Sequence, residues 1–201
     1  MVKVHKRFTC IFVASLLMGH LSLTLAAPKG NSGDISECGV ITEPGAYQLE
    51  QDLPGRNGLL PNGNCIVIQA NSVVLDLGDY SITGQGNGAG VTDGSLSFSN
   101  LEVRNGTISG FGDALDLSNS TGSVVEKIKA FSNSLDGISL GPQGVTRFNI
   151  ARENDRGIVM TCPASAIGNS AWDNNSEDFY LIDEQLCNLS DGLNSFGSSG
   201  G

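Results

Sequence analysis

The stretch LEVRNGTISGF, Leu101–Phe111, has two readings, and they lead to different folds. Apolar residues alternate with polar ones, as in a half-buried strand, and Asn105-Gly106 stands at the centre. An Asn-Gly pair accepts the positive φ angles of a type I′ turn, which makes the stretch a two-residue hairpin. The arms of that hairpin are very short. The other reading makes Asn105-Gly106 a corner in a unit that repeats.

The neighbouring sequence favours the corner. LDLGDYSITG (Leu75–Gly84) lies over LEVRNGTISG (Leu101–Gly110) without a gap at an offset of 26, matching Leu75 with Leu101, Leu77 with Val103, Ile82 with Ile108 and Gly84 with Gly110. DALDL (Asp113–Leu117) recurs as DGISL (Asp136–Leu140) and RGIVM (Arg156–Met160), at offsets of 23 and 20, and more faintly as DFYL (Asp178–Leu181). A second series, AFSN (Ala130–Asn133), AREN (Ala151–Asn154) and AWDN (Ala171–Asn174), steps by 21 and 20. A hairpin does not explain why the flanking residues recur, and Asp79-Tyr80, at the matching place one unit earlier, is a poor hairpin pair.

Self-similarity at this period, carried by short β-type segments with Gly, Asn, Asp and Ser between them, predicts a solenoid. No stretch beyond residue 27 shows a helical period. One unit cannot bury its apolar face alone. Stacked about 4.8 Å apart, the units build a continuous interior. The matching Asn133, Asn154 and Asn174 are read as a structural ladder, because stacked amides hydrogen-bond along such a column.

The ends have a different character. Lys3, Lys6 and Arg7 precede the apolar run FTCIFVASLLMGHLSLTL, and Thr24-Leu25-Ala26 has the small-x-small pattern of a signal peptidase site, so cleavage is expected before Ala27. Residues 1–26 are thus read as a signal peptide, 27–37 as a flexible N-terminus, 38–194 as the repeat domain and 195–201 as a disordered tail. Removing the signal takes away three of the 11 basic residues and none of the 21 acidic ones, so the net charge moves from −10 to −13. That balance argues against nucleic acid and anionic lipid as partners, and against membrane association once the signal is gone. Both histidines, His5 and His20, leave with the signal.

Four cysteines remain in an exported chain, which predicts disulfides. Of the three possible pairings we favour Cys38–Cys65 and Cys162–Cys187, one near each end. A zinc site lacks both a C-x-x-C pair and a histidine, so no metal ligand set is assigned.

The segments CGVITEPGAYQLEQDL (Cys38–Leu53), NCIVIQANSVVLDLGDYSITG (Asn64–Gly84) and VRNGTISGFGDALDL (Val103–Leu117) resemble secreted right-handed parallel β-helix proteins, the pectate-lyase-like superfold and its generic NosD-type repeat members. The resemblance implies an all-β, single-stranded right-handed parallel β-helix of about six or seven short coils. Each coil would have three short parallel sheets, with a groove running lengthwise. It also implies a capped first coil, for which Thr42–Leu53 is the candidate. It specifies the fold and leaves function open, since this fold hosts lyases, hydrolases, epimerases, adhesins and binding proteins.

Catalytic motifs of the carbohydrate-active relatives are missing: there is no Gly-His-Gly, no Asp-Asp pair and no Asp-Pro-His-Asp. A lyase or epimerase acting on a uronate-containing glycan would use Asp113, Asp136, Arg104 and Lys127, brought together by an offset of 23, with Ca²⁺ as its cofactor. The simpler account makes these turn carboxylates and ordinary cross-strand ion pairs. Trp172, with Phe179 and Tyr180, is the weak candidate for a sugar-stacking platform, and burial of a solenoid end is the alternative. GQGNGAG (Gly84–Gly90) lacks the spacing of a phosphate loop. The favoured reading is an exported, monomeric, non-catalytic module, secreted or periplasmic, that binds polysaccharide along its side and needs no cofactor. A NosD-like accessory role is disfavoured by the lack of histidine and of Met or free Cys clusters.

Overall fold

A computed structural model describes residues 31–55, 59–183, 188–189 and 194–196, so the signal-peptide segment lies outside the described residues. The described strands pair in parallel and no helix is present among them. The chain winds as a coil with three walls. The first wall holds Asn31–Ile35, Gly45–Leu49, Val73–Asp76, the front of Glu102–Ser109, the front of Val124–Phe131, Val145–Arg147, Ser165–Ile167 and Asn188–Leu189. The second holds Leu53–Pro54, Ser81–Thr83, the rear of the same two eight-residue strands, Ile150–Arg152, Ser170–Trp172 and Ser195–Phe196. These two walls form one thirteen-stranded sheet. The third wall is a separate sheet of seven strands: Gly39–Ile41, Ile66–Ile68, Ala89–Thr92, Asp113–Leu117, Asp136–Leu140, Arg156–Thr161 and Glu177–Ile182. One strand per coil in this wall agrees with the expected coil count.

The opening stretch is a corner and not a hairpin. Glu102–Ser109 passes from the first wall to the second, pairing with Val73–Asp76 along its front and Ser81–Thr83 along its rear. Asn105 makes the bend alone, with φ 57°. The same left-handed step stands in the other coils at Asp79, Lys127, Phe148 and Gly168. Gly106 follows because the bend presses it against the coil below: a Cβ there would meet the Cβ of Leu77 at 2.4 Å.

Each wall sends one or two columns inward. Leu53, Ile82, Ile108, Ala130, Ala151 and Ala171 align down the second wall. Val91, Leu115, Ile138 and Ile158 align down the third and are fully buried. Burying one such aliphatic side chain contributes about 1.5–3 kcal/mol. In the second wall the side chains shrink from isoleucine to alanine where asparagines enter the interior, which keeps the packing close.

The Asn ladder forms as the spacing predicted. Asn133 Nδ2 donates to Asn154 Oδ1 at 2.9 Å, Asn154 Nδ2 to Asn174 Oδ1 at 3.1 Å, and Asn174 Nδ2 to Asp178 at 2.8 Å. A second ladder, Asn149–Asn169–Asn194, lies at the corner between the first and second walls, with amide bonds of 3.0 and 3.2 Å. Cys38 and Cys65 are joined by the expected disulfide. The proposed partner of Cys162, Cys187, lies outside the described residues.

Two boundaries and one cap are corrected. The segment 27–37, read as flexible, contains the strand Asn31–Ile35, which pairs with Gly45–Leu49. The tail 195–201, read as disordered, contains the strand Ser195–Phe196, which pairs with Ser170–Trp172. Both are short, polar or glycine-rich pieces whose hydrogen bonds come from one neighbouring coil, so they show no apolar pattern of their own. Thr42–Leu53 is likewise not a cap: it contains Gly45–Leu49, a strand with a partner on either side.

Candidate functional site

The outer face of the third wall is built from the residues that alternate with its inward aliphatics. One outward column reads Val67–Thr92–Asp116–Ser139–Val159–Tyr180. Beside it, at the edge of the wall, Ala89, Asp113, Asp136, Arg156 and Glu177 stand in register. Small and polar residues at these positions leave room above the sheet. The turns that lead into successive strands, at Asn62–Asn64, Gly86–Gly88 and Ser134–Leu135, rise along one edge, where Ser134 Oγ donates to Gly86 O at 3.4 Å, and Gly94 and Ser95 follow the strand Ala89–Thr92 at its far end. They enclose an open groove of about 480 Å³ whose floor includes Thr92, Asp113 and Asp116. Leu135 is 53% exposed and gives the groove an apolar rim.

The carboxylates here are arranged by the fold. Asp113 Oδ1 accepts the backbone N–H of Asp136 at 3.0 Å, which ties one coil to the next. Burial pushes the Asp113 carboxyl above its usual range; the Asp136 N–H acts in the opposite direction, and the charges of Asp136 and Asp116 add to the rise. Asp136 is almost fully buried and binds Arg156 through two bonds, Nε to Oδ1 at 2.7 Å and Nη2 to Oδ2 at 2.9 Å. The Arg156 guanidinium lies over the Tyr180 ring, 5.2 Å from its centre. Asp93, buried at the end of its strand, is also pushed up by burial; it accepts Ser120 Oγ at 2.9 Å and the Asn119 N–H at 3.1 Å.

The sequence-predicted quartet divides between two sheets. Asp113 and Asp136 are adjacent on the third wall, whereas Arg104 lies on the first and Lys127 at its corner. Arg104 does not stack on Lys127. It stands opposite Glu126, because coils in this sheet step by 22 residues and not 23. Arg104 binds Asp76 at 2.9 Å and Glu102 at 2.7 Å. Lys127 binds Glu126 at 3.2 Å, and Glu126 binds Arg147 at 2.7 Å. Asp76, Arg104, Glu126 and Arg147 thus form a ladder of alternating charge down the first wall. Among the described residues no group of three or more His, Cys, Asp or Glu side chains is placed to hold a metal ion.

The aromatic candidates separate as well. Trp172 is half-buried on the second wall opposite Arg152, while Tyr180 lies on the third wall opposite Val159 and Phe179 packs towards the core. Sequence reading missed the groove itself, since its turns pair across coils; Asn64 Oδ1, for example, accepts the Ala89 N–H at 2.8 Å. It also missed Arg156, which replaces aspartate in the column and so weakens the repeat that marks the others.

Comparison with known proteins agrees with the winding. The family model for the right-handed β-helix region matches residues 56–199. No curated protein and no solved structure matches the chain. Stacked parallel coils with two amide ladders and a family match over most of the chain lead to one assignment: the chain belongs to the right-handed β-helix family.

Proposed function

We propose that the protein is an exported, non-catalytic β-helix module that binds an uncharged polysaccharide along the groove of its third wall. The observation that carries this reading is the groove's lining. Amides and hydroxyls of Asn62, Asn64, Thr92 and Ser95, the Asp116 carboxylate and the apolar rim of Leu135 offer both hydrogen bonds and a surface for sugar C–H groups. Carboxylates on the floor disfavour an acidic glycan. A lyase or epimerase needs an acid and a base at one place. The guanidinium nearest Asp113 is held by Asp136, and Arg104 and Lys127 are on the other sheet. The signal-like N-terminus supports a secreted or periplasmic location.

The test is a panel of polysaccharides offered to the exported protein with and without calcium, reading retention on neutral members and the ultraviolet absorbance of unsaturated products from uronate-containing ones. The expected result is retention without product, weakened several-fold by Leu135→Ser. Product formation, or an absence of retention across the panel, overturns the reading.

A further inference from the structure

Two columns of side chains point outward from the first wall. One reads Ala46–Val74–Glu102–Val124–Val145–Ser165 and the other Gln48–Asp76–Arg104–Glu126–Arg147–Ile167. About a point midway between the Arg104 and Glu126 rungs the second column is its own complement: Arg104 answers Glu126, and Asp76 answers Arg147. The face is also neutral. Asp76, Glu102 and Glu126 are paired with Arg104, Lys127 and Arg147 at 2.7–3.2 Å, in a chain whose net charge is −10. Val74, Val124, Val145 and Ile167 are half-buried on it. Around its first rungs, Ala46, Gln48, Val74, Asp76 and Arg104 border a hollow of about 300 Å³. Two aromatic rings are exposed at the corner with the second wall, Tyr80 in the coil of Asp76 and Phe148 in the coil of Arg147. Phe148 holds φ 57°, a left-handed bend that Asn105 and Gly168 suit and a bulky ring does not. The bend alone gives no reason for a ring there, 54% exposed.

We propose that this face is the interface of a two-fold dimer: a second copy of the chain packs on it face to face, with its solenoid axis reversed. The two-fold axis runs along the strands, midway between the Arg104 and Glu126 rungs, and sets each column against itself in reverse order. Arg104 then faces Glu126 of the second copy, Arg147 its Asp76 and Val145 its Val74. Ile167 faces the hollow beside its Gln48, and Phe148 meets its Tyr80. Every contact is made twice. A slip of one rung sets Arg104 against Arg104 or Glu126 against Glu126, so charge fixes the register. Pairs already closed within one chain add little attraction. Their part is to let two acidic chains meet without repulsion, and the apolar contacts supply the adhesion. Six rungs span about 24 Å, and with the corner the two copies bury on the order of 1,000 Å² in all, the lower bound of a specific interface. A dimer of micromolar affinity follows, in place of the monomer expected from the sequence. The groove lies on another wall and stays open.

The experiment is sedimentation equilibrium of the exported protein between about 1 and 300 μM, where a monomer–dimer equilibrium with a Kd on the order of 10 μM is expected. Phe148→Asn should raise that Kd about tenfold or more, because the lost aromatic contact counts twice. The same variant should melt no lower than the parent, since Asn suits the bend, so a loss of pairing is not a loss of fold. Arg147→Glu sets carboxylate against carboxylate at two places and should leave a monomer throughout the range. Leu135→Ser, in the groove, should leave the equilibrium unchanged. Register is read with a short bismaleimide: an equimolar mixture of Val74→Cys and Val145→Cys chains should cross-link, and either variant alone should not. The mass of one chain at every concentration, species larger than a dimer, a dimer unmoved by Phe148→Asn and Arg147→Glu, or cross-linking within one cysteine variant alone overturns the proposal.

Discussion

The second and third walls share an interior and differ in everything they show to solvent. Inside, both are columns of aliphatics, which shrink to alanine in the second wall and stay leucine or isoleucine through Ile158 in the third. Outside, the third wall carries Thr92, Asp116 and the Asp136–Arg156 pair, while the second carries Phe131, Arg152, Trp172 and Lys129, which makes no ion pair among the described residues. The inward residues are constrained by the residues directly above and below, so a change in one coil is felt in two others. The outward residues meet only their cross-strand neighbours and solvent. A solenoid can therefore hold one core and still carry two unrelated surfaces, provided something fixes the angle between its walls.

That fixing is assigned to the asparagine ladders. Asn154 is fully buried; it accepts two bonds from Asn133 and donates to Ala130 O and Asn174 Oδ1. Asn154→Ala takes the acceptor from the Asn133 backbone N–H, while Asn133 Nδ2 keeps Phe131 O and Asn174 Oδ1 keeps the Asn154 N–H. One orphaned buried donor costs about 1–3 kcal/mol and each further lost bond about 0.5–1.5 kcal/mol, so a total loss of about 2–4 kcal/mol is expected from urea unfolding midpoints, with both surfaces lost together. A loss below about 1 kcal/mol would mean that the aliphatic columns hold the walls apart unaided.

An effect of similar size tests whether the walls unfold as one. The Cys38–Cys65 bond ties two coils of the third wall across a separation of 27 residues. Replacing both cysteines by serine should cost about 3.5 kcal/mol by the chain-entropy account. If the shared interior makes unfolding cooperative, hydrogen exchange should speed up equally in Leu115 of the third wall and Ile108 of the second. Faster exchange confined to the third wall would show that the two walls are separable units.

The contrast between interior and exterior also explains what the sequence could reveal. Ile82 and Ile108, and Leu117 and Leu140, are readable because the core makes the same demand in every coil; the gapless overlay fails in the first wall, where Leu75 stands opposite Val103 and not Leu101 because that turn of the coil is two residues longer. Asn105 is readable because a single left-handed residue is needed at each bend, and asparagine adopts that conformation readily. The second ladder was harder to see. Asn149 and Asn169 each precede an inward alanine by two positions, so NIAREN and NSAWDN do align, but Asn105-Gly106 and Lys127-Ile128 fill that corner in the coils before them. The site was less legible still. A coil steps by 23 residues from Asp113 to Asp136 and by 22 from Arg104 to Glu126, and that one residue exchanges a lysine for a glutamate in the predicted stack. Trp172 and Tyr180 are close in sequence, but a corner lies between them and they face apart. Outward residues do not repeat, so nothing in the period marks them.

The smallest expected effect compares two aspartates of opposite behaviour. In the third wall burial raises the Asp113 carboxyl above its ordinary range of about 3.8. A carboxyl raised on folding contributes stability that is present below the ordinary carboxylate range and is lost as pH rises through the folded value. In the first wall burial acts on Asp76 too, but bonds from the Gly78 N–H, Arg104 and Asn105 outweigh it and hold the carboxyl low. Its contribution is present above the ordinary range and is lost as pH falls through the lowered value. Asp113→Asn should therefore raise the melting temperature at pH 7, with the gain shrinking towards pH 3, since the new amide oxygen still accepts the Asp136 N–H. Asp76→Asn should lower the melting temperature at pH 7, and that loss should shrink only as pH falls below the ordinary carboxylate range, through the lowered value. If Asp113→Asn is destabilising at pH 7, the carboxylate's bond to Asp136 outweighs the cost of burying its charge, and the groove floor holds a paired anion, as the first wall does.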